Sequence, residues 1–238
     1  ENSRIEIRKW LMTVHLMTSS KKGVSAAQIE REVGVTYKSA WFMCHRIREA
    51  MKSGPLALML GGDGKAVEAD ETYVGGKKKR GVKGRGPVDK APVQVIVERN
   101  ASVVAKHVEK ANGKTLKYNI KQHVDHGSMI VTDEAKAYIG IGRAFKGGHV
   151  AVNHSVEYVD VNGQHTNTAE SFNALLKRGH YGVFHQMSKK HLHRYCDEFS
   201  FRWNTRKVSD GERMVAALYA SAGKRLFYRE LIARPPFA

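Results

Sequence analysis

Three acidic residues stand where an acid is costly unless it has work to do. Asp70 lies in Val67–Glu68–Ala69–Asp70–Glu71–Thr72, Asp133 closes Ile130–Val131–Thr132–Asp133, and Glu170 lies in Asn167–Thr168–Ala169–Glu170–Ser171. The first two sit within or at the end of apolar runs, and strand ends are where open α/β sheets present their sites. Either alone reads as well as a helix cap or a loop charge. The third gives the set its weight, because Asn167, Glu170, Ala174 and Lys177 share one face of a helix. Carboxylates are hard oxygen donors suited to Mg²⁺ or Mn²⁺, with phosphate and water completing the shell. Two such ions about 3.5–4 Å apart can activate an attacking oxygen and stabilise a leaving one in phosphodiester transfer. Asp70, Asp133 and Glu170 are therefore the candidate catalytic acids and ligands of two metal ions. Lys177, further along the helix, reads equally as a phosphate contact near the scissile bond and as a solvated lysine.

The rest of the composition names a partner for such a site. The chain has 238 residues with 40 Lys+Arg against 23 Asp+Glu, a formal charge of +17. A surplus that large favours a polyanion through counterion release, with an anionic membrane surface as the alternative. The apolar runs Leu56–Leu60 and Met214–Ala220 are far too short to span a bilayer. Glu1–Lys9 mixes charges and has no apolar core followed by small residues, so no signal peptide is read there. The chain starts at Glu1 rather than Met, and an N-terminal part is expected to be missing. Cys44 and Cys196 are too few for a disulfide framework and read as reduced core residues, in keeping with a cytoplasmic protein. Of the twelve histidines only His123/His126 and His191/His193 are close pairs, and neither has partners at zinc spacing.

The elements that must position these residues follow from periodicity. Arg4–Thr18 has helical spacing, Ser25 caps a short helix over Ala26–Val33 that stops at Gly34, and Thr36 caps a longer one through Met51. Short helix, turn, longer helix is a helix-turn-helix pattern that carries Tyr37, Lys38, Arg46 and Arg48 on its second helix, with Lys38 and Arg46 as DNA contacts. Ser53–Gly64 reads as a linker. Ala66–Val74 is then a strand, and Pro92–Glu98 and Ser102–Val108 form a hairpin about Arg99–Asn100–Ala101. A helix over Gly113–Val124, the strand Ser128–Thr132, a helix over Glu134–Ile139 and a strand within His149–Tyr158 follow. Thr166–Arg178 and Ser188–Asn204 are helices, with Tyr195 and Trp203 on an apolar stripe and Arg202 and Arg206 facing outward. The order predicts an α/β fold, a mixed sheet with helices behind a small helical domain. The boundaries are residues 1–55 for the helix-turn-helix domain, 56–65 for the linker, 66–206 for the sheet domain and 207–238 for a helical tail. Gly75–Pro87 holds Lys77, Lys78, Lys79, Arg80, Lys83 and Arg85 among five glycines, a composition suited to phosphate backbones.

Taken together, Val67–Gly76, Val131–Asp133, His165–Glu170 and Lys177–Arg178 resemble a bacterial insertion-sequence transposase. The resemblance is to the DDE-type group related to the eukaryotic Merlin elements. It continues through His191–Tyr195 and Glu198–Asn204 and reaches back to Arg8–Trp10 and Arg46–Met51. It implies a ribonuclease-H-like core with acids on the first strand, after the fourth and on a late helix, the places of Asp70, Asp133 and Glu170. It implies hydrolysis at element ends to free a 3′-hydroxyl, attack of that hydroxyl on target DNA, and a homodimer or larger assembly on paired double-stranded ends. Some relatives use Asn in place of the third acid, and Asn167 is a supporting candidate beside Glu170. The group commonly carries a cysteine zinc ribbon ahead of the helix-turn-helix, and this chain has no CxxC pair. A domesticated DNA-binding regulator and a cleavage-only nuclease are the alternative functions.

Overall fold

The computed structural model describes residues 3–52, 59–75, 90–134, 136–152 and 165–233. In chain order the elements are helices α1 (Ile7–Ser19), α2 (Ala26–Val33) and α3 (Tyr37–Met51), strands β1 (Ala66–Val74), β2 (Ala91–Glu98) and β3 (Val103–His107), helix α4 (Gly113–His123), strands β4 (Met129–Asp133) and β5 (His149–Val152), and helices α5 (Asn167–Gly179), α6 (Leu192–Asn204), α7 (Asp210–Ala220) and α8 (Tyr228–Ile232). They form two compact units, one over Gly54–Lys177 and one joining Glu1–Ser53 to Arg178–Ala238.

The unit over residues 54–177 is built on a five-stranded mixed sheet ordered β3-β2-β1-β4-β5. β1, β2 and β3 pair antiparallel, while β4 and β5 run parallel to β1. This is the expected ribonuclease-H-like sheet. The hairpin between β2 and β3 forms because Asn100, at φ 58°, takes the left-handed conformation that asparagine tolerates. One face of the sheet packs Val67, Ala69, Ile96 and Ile130 against Leu116 and Ile120 of α4 and against Tyr138. The side chain of Asn112 caps α4 by accepting from the Thr115 amide.

Three expectations change in or beside this unit. The helix over Glu134–Ile139 is only a 3₁₀ turn, Lys136–Tyr138. Tyr138 turns into the core and Gly140, at φ 82°, ends the turn. The expected linker does not run to residue 65. Leu60 is buried in the core, bridges to Val124, and bonds through its backbone to His123 and Asp125. Gly61 (φ 87°) makes this approach fit, because a Cβ there would lie 2.0 Å from Ser128 Oγ. Nor is the region past residue 206 a separate tail, because Ala217 of α7 shares a core with Val14, Met17, Ile29, Cys44 and Ile47. Arg213 Nη1 donates to Thr18 O at 2.9 Å, and Lys224 Nζ to Ala50 O at 2.8 Å.

In that helical unit Ser25 and Thr36 cap α2 and α3 as expected, accepting from Gln28 N and Ser39 N. Gly34, at φ 66°, closes α2 in the left-handed form. The region Ser188–Asn204 divides into a 3₁₀ turn, Lys189–His191, and α6. Arg48 and Arg202 are buried about the fully buried Glu198, so neither faces outward. Two oppositely charged partners allow Glu198 to stay ionised without water. Cys44 and Cys196 are buried, reduced thiols, as expected.

Candidate active site

β1 and β4 pair in parallel as Ala66↔Met129, Val67↔Ile130, Glu68↔Val131 and Ala69↔Thr132. Asp70 and Asp133 are the next residue on each strand. Side chains alternate across a strand, so both acids project from the face opposite Val67, Ala69 and Ile130. Asp133 is the last residue of β4, whereas β1 continues along β2 to Val74. The acids therefore stand where two parallel neighbours part, Asp133 at the carboxyl end of β4 and Asp70 midway along β1.

Helix α5 lies over this face, and two contacts with β1 hold it. At its first turn the buried Glu68 carboxylate accepts from Thr168 N, Thr168 Oγ1 and Ala169 N, each at 2.9 Å. Arg99 Nε donates to the same carboxylate at 2.8 Å, and Arg99 Nη2 donates to His165 O. An anion on the free amides of a helix N-terminus satisfies them and complements the helix dipole. Further along, Asn173 Nδ2 donates to Asp70 Oδ2 at 2.7 Å. The other oxygen, Asp70 Oδ1, accepts from Glu71 N at 2.7 Å.

Charge reports which groups share the site. Burial pushes the Asp70 carboxyl up to about 6, and the negative charges of Asp133 and Glu170 push the same way. The Glu71 amide and the Lys177 ammonium oppose this. The other two predicted acids and Lys177 thus act on the Asp70 carboxyl. Glu170 and Lys177 are exposed on α5. Asn167 is exposed at the first residue of α5, and its backbone N–H donates to His165 Nδ1 at 3.3 Å; the amide side chain that reaches Asp70 is that of Asn173. Behind the site, on the opposite sheet face, burial and the charges of Asp70 and Asp133 raise the Glu71 carboxyl to about 7, while the hydroxyl donated by Tyr138 opposes that rise.

A model of the ISXO2-like transposase domain matches residues 59–204, more than half of the chain. The chain belongs to this transposase family. The match contains Asp70, Asp133, Glu170 and Lys177, so the whole candidate site lies inside it. Among solved structures, one described as a pre-cleavage Mos1 transpososome is similar at 11% identity, covering 95% of this chain and 81% of that one, with a TM-score of 0.32. The Mos1 strand transfer complex is similar at 11% identity over 93% of this chain and 76% of that one, with a TM-score of 0.34. No curated protein matches the chain.

The remaining predicted contacts of this transposase-family chain fall on both sides of what the structure describes. Lys38 is exposed in the first turn of α3, 4.8 Å from the centre of the Tyr228 ring. Arg46 is half-buried against the Trp10 and Phe42 rings. Lys77, Lys78, Lys79, Arg80, Lys83 and Arg85 lie outside the described residues. Glu68 and Asn173 are site residues that spacing alone does not single out. An acid two positions before Asp70 on the same strand face is the available signal for the first, and a position three residues after Glu170 for the second. No helix among the described residues is long and apolar enough to cross a membrane.

Proposed function

We propose that this chain is a metal-dependent DNA transposase that cleaves element ends by phosphodiester hydrolysis and joins the freed 3′-hydroxyl to target DNA. The observation that carries the reading is the convergence of Asp133, Glu170 and Lys177 on Asp70 at the parting of β1 and β4. Among the described residues no three His, Cys, Asp or Glu side chains already close around one point. Mg²⁺ does not require that, because one or two carboxylates hold it while it keeps waters and takes substrate phosphates as ligands. The donor set fits: the oxygens are hard, two come from rigid strands, and the repulsion felt by Asp70 is the kind a cation relieves.

Asp70, Asp133 and Glu170 would hold the ions, Mg²⁺ or Mn²⁺. When bound, two such ions activate the attacking oxygen and offset charge on the leaving one. The residues of the chain do the positioning. Glu68 fixes the start of α5 to β1, and so fixes where Glu170 and Lys177 stand relative to Asp70. Lys177, exposed and close enough for its charge to act on Asp70, neutralises a DNA phosphate beside the scissile bond. The turn between α2 and α3 leaves Tyr37 and Lys38 exposed at the start of the second helix, the end from which such helices reach base edges. The net charge of +17 suits a duplex partner. The protein acts in the bacterial cytoplasm on the nucleoid, as a homodimer or larger assembly that pairs two ends.

The test is nicking of duplex DNA carrying the element's own ends, with Mg²⁺ or Mn²⁺, for the wild type and Glu170→Gln. Metal-dependent nicking that disappears in the variant supports the three-acid site, and a joined product then supports strand transfer. Nicking that survives Glu170→Gln removes Glu170 from the site. Tight, salt-sensitive binding without any cleavage by the wild type identifies a regulator instead, and cleavage without joining identifies a nuclease.

A further inference from the structure

Asn173 has a feature that a helix-pinning amide does not need. It is 5% exposed, its Nδ2 is spent on Asp70 Oδ2 at 2.7 Å, and its Oδ1 is buried without a hydrogen-bond partner among the described residues. Buried polar atoms are satisfied in the great majority of cases, and an orphaned one costs about 1–3 kcal/mol. An amide that served only to tie α5 to β1 would satisfy both ends or be replaced by an apolar contact. Here the unsatisfied end is an acceptor, held in the same planar group as an N–H₂ that touches a carboxylate. A lone acceptor among acids repels anions. The species it suits is a cation or a water held by one.

The rest of the geometry agrees. Asn173 follows Glu170 by three residues and precedes Lys177 by four, so it shares their side of α5. Both oxygens of Asp70 are fixed, one by Asn173 and one by the Glu71 amide. A carboxylate held at both oxygens cannot swing, yet each oxygen keeps a second lone pair for a ligand. Resting on the metal-dependent reading above, we propose that Asn173 is a fourth member of the acid site: its amide nitrogen sets the orientation of Asp70, and its free carbonyl oxygen is an additional donor to the divalent cation or to a water on it.

Mn²⁺ binding to the full chain, titrated by loss of the free-ion electron paramagnetic resonance signal, tests this without requiring turnover. Wild type, Asn173→Ala, Asn173→Asp and Asp70→Asn are compared, with nicking and urea unfolding measured on the same samples. Asn173→Ala is expected to weaken Mn²⁺ binding about 10–100-fold, the range for partners that orient a ligand, and to shift nicking to higher Mn²⁺. Asn173→Asp loses the N–H donated to Asp70 but keeps an oxygen there and adds a charge that a cation between the two carboxylates offsets, so it binds Mn²⁺ at least as tightly as wild type. Unchanged affinity in Asn173→Ala, or an equal loss in both substitutions, overturns the inference and leaves Asn173 a structural tie. If Asn173→Ala does not fold, the aspartate variant decides alone: binding as tight as wild type supports the donor role and weaker binding overturns it. A wild type that neither binds Mn²⁺ nor nicks sinks the metal-dependent reading itself, whereas a wild type that does both lets the variants report on Asn173 alone.

Discussion

The carboxylate of Glu68, fully buried on β1, accepts the backbone amides of Thr168 and Ala169 at the first turn of α5. The strand that presents Asp70 therefore also holds, two residues earlier, the start of the helix that presents Glu170. Residues about a hundred positions apart in sequence become one rigid unit, with Arg99 completing the charge balance. Rigid elements hold catalytic geometry better than loops do, and a shift of an ångström at such a site is felt in rate.

Glu68→Gln removes the charge and one acceptor oxygen while keeping shape. The α5 amides and the partly exposed Arg99 then lose their ionic partner, and because water reaches Arg99 the cost falls toward the lower end of the about 3–5 kcal/mol for a buried pair broken from one side. Urea unfolding followed by far-ultraviolet circular dichroism should show a lower midpoint at an unchanged slope, and hydrogen exchange at the Ala169 amide should accelerate. A midpoint equal to that of wild type would mean that α5 is held by packing and that Glu68 is dispensable.

Acid should loosen the helical unit through its buried histidines. His45 is fully buried, with both ring nitrogens unpartnered among the described residues; burial, then the Arg48 guanidinium and the nearby His191, Arg194 and His193, hold its imidazole far below the ordinary range. Trp41 and Tyr195 close the pocket around it. Burial and the charges of Lys190, Arg194, His193 and Arg48 lower His191 to about 4. The unfolded chain takes up these protons near pH 6.5 and the folded one refuses them, so stability falls as pH drops below 6.5, by up to about 1.4 kcal/mol per pH unit per proton. Asp197 opposes this below its raised value of about 6, because there the folded form binds its proton more readily than the unfolded one. The half-buried His191 is screened and contributes less than His45. All three tryptophans, Trp10, Trp41 and Trp203, lie in this unit, so their fluorescence reads its melting alone. The melting temperature should fall between pH 6.5 and 5, and His45→Phe should flatten that slope. An unchanged slope in His45→Phe would assign the acid sensitivity elsewhere.

What can be read from the residues alone is what depends on short-range pattern. The β2–β3 hairpin is written in Arg99–Asn100–Ala101, the end of β4 in an acid after three apolar or β-branched residues, and both caps of the α2–α3 pair in Ser25 and Thr36. Pairings over long separations are not legible. Glu68 meets Thr168 across 100 residues and Arg48 meets Glu198 across 150, so nothing local distinguishes either acid from a surface charge, or Arg48 from a DNA contact. The choice between amides is hidden for a geometric reason. At about 100° per residue, Asn167 and Asn173 lie about 60° to either side of Glu170. Spacing gives the face but not which flank meets the strand, and the strand is met by Asn173. Leu60 is masked because three nearby glycines read as a linker, whereas Gly61 serves a close approach to Ser128.

Asp70→Asn and Asp133→Asn separate binding from cleavage. Each removes an anion from the surface proposed to accept DNA phosphates, so duplex affinity should be equal or higher. Nicking should fall by at least about 100-fold, the upper end of what a lost supporting contact alone costs. Fluorescence anisotropy on an end-bearing duplex, at fixed salt, measures the first, and a plasmid-nicking time course the second. If either asparagine variant lost affinity in proportion to its nicking, the acids would be part of the binding surface rather than the reaction centre.

Positive charge in Lys77–Arg80 is expected to contribute affinity by neutralising phosphates, which gives it a signature in salt rather than in sequence. For each phosphate contact removed, the slope of log affinity against log salt should shrink by about 0.9 on duplex DNA. Replacing Lys77, Lys78, Lys79 and Arg80 together by glutamine should therefore flatten the slope by up to about 3.6 units and weaken element-end and random duplexes alike. Lys38→Gln lies at the start of a helix whose first turn is exposed, and should instead weaken end-bearing duplexes more than random ones if that turn enters the groove. Equal slopes for wild type and the four-residue variant would return that segment to a solvated surface, and equal losses on both duplexes for Lys38→Gln would make Lys38 a phosphate contact with no part in recognising the ends.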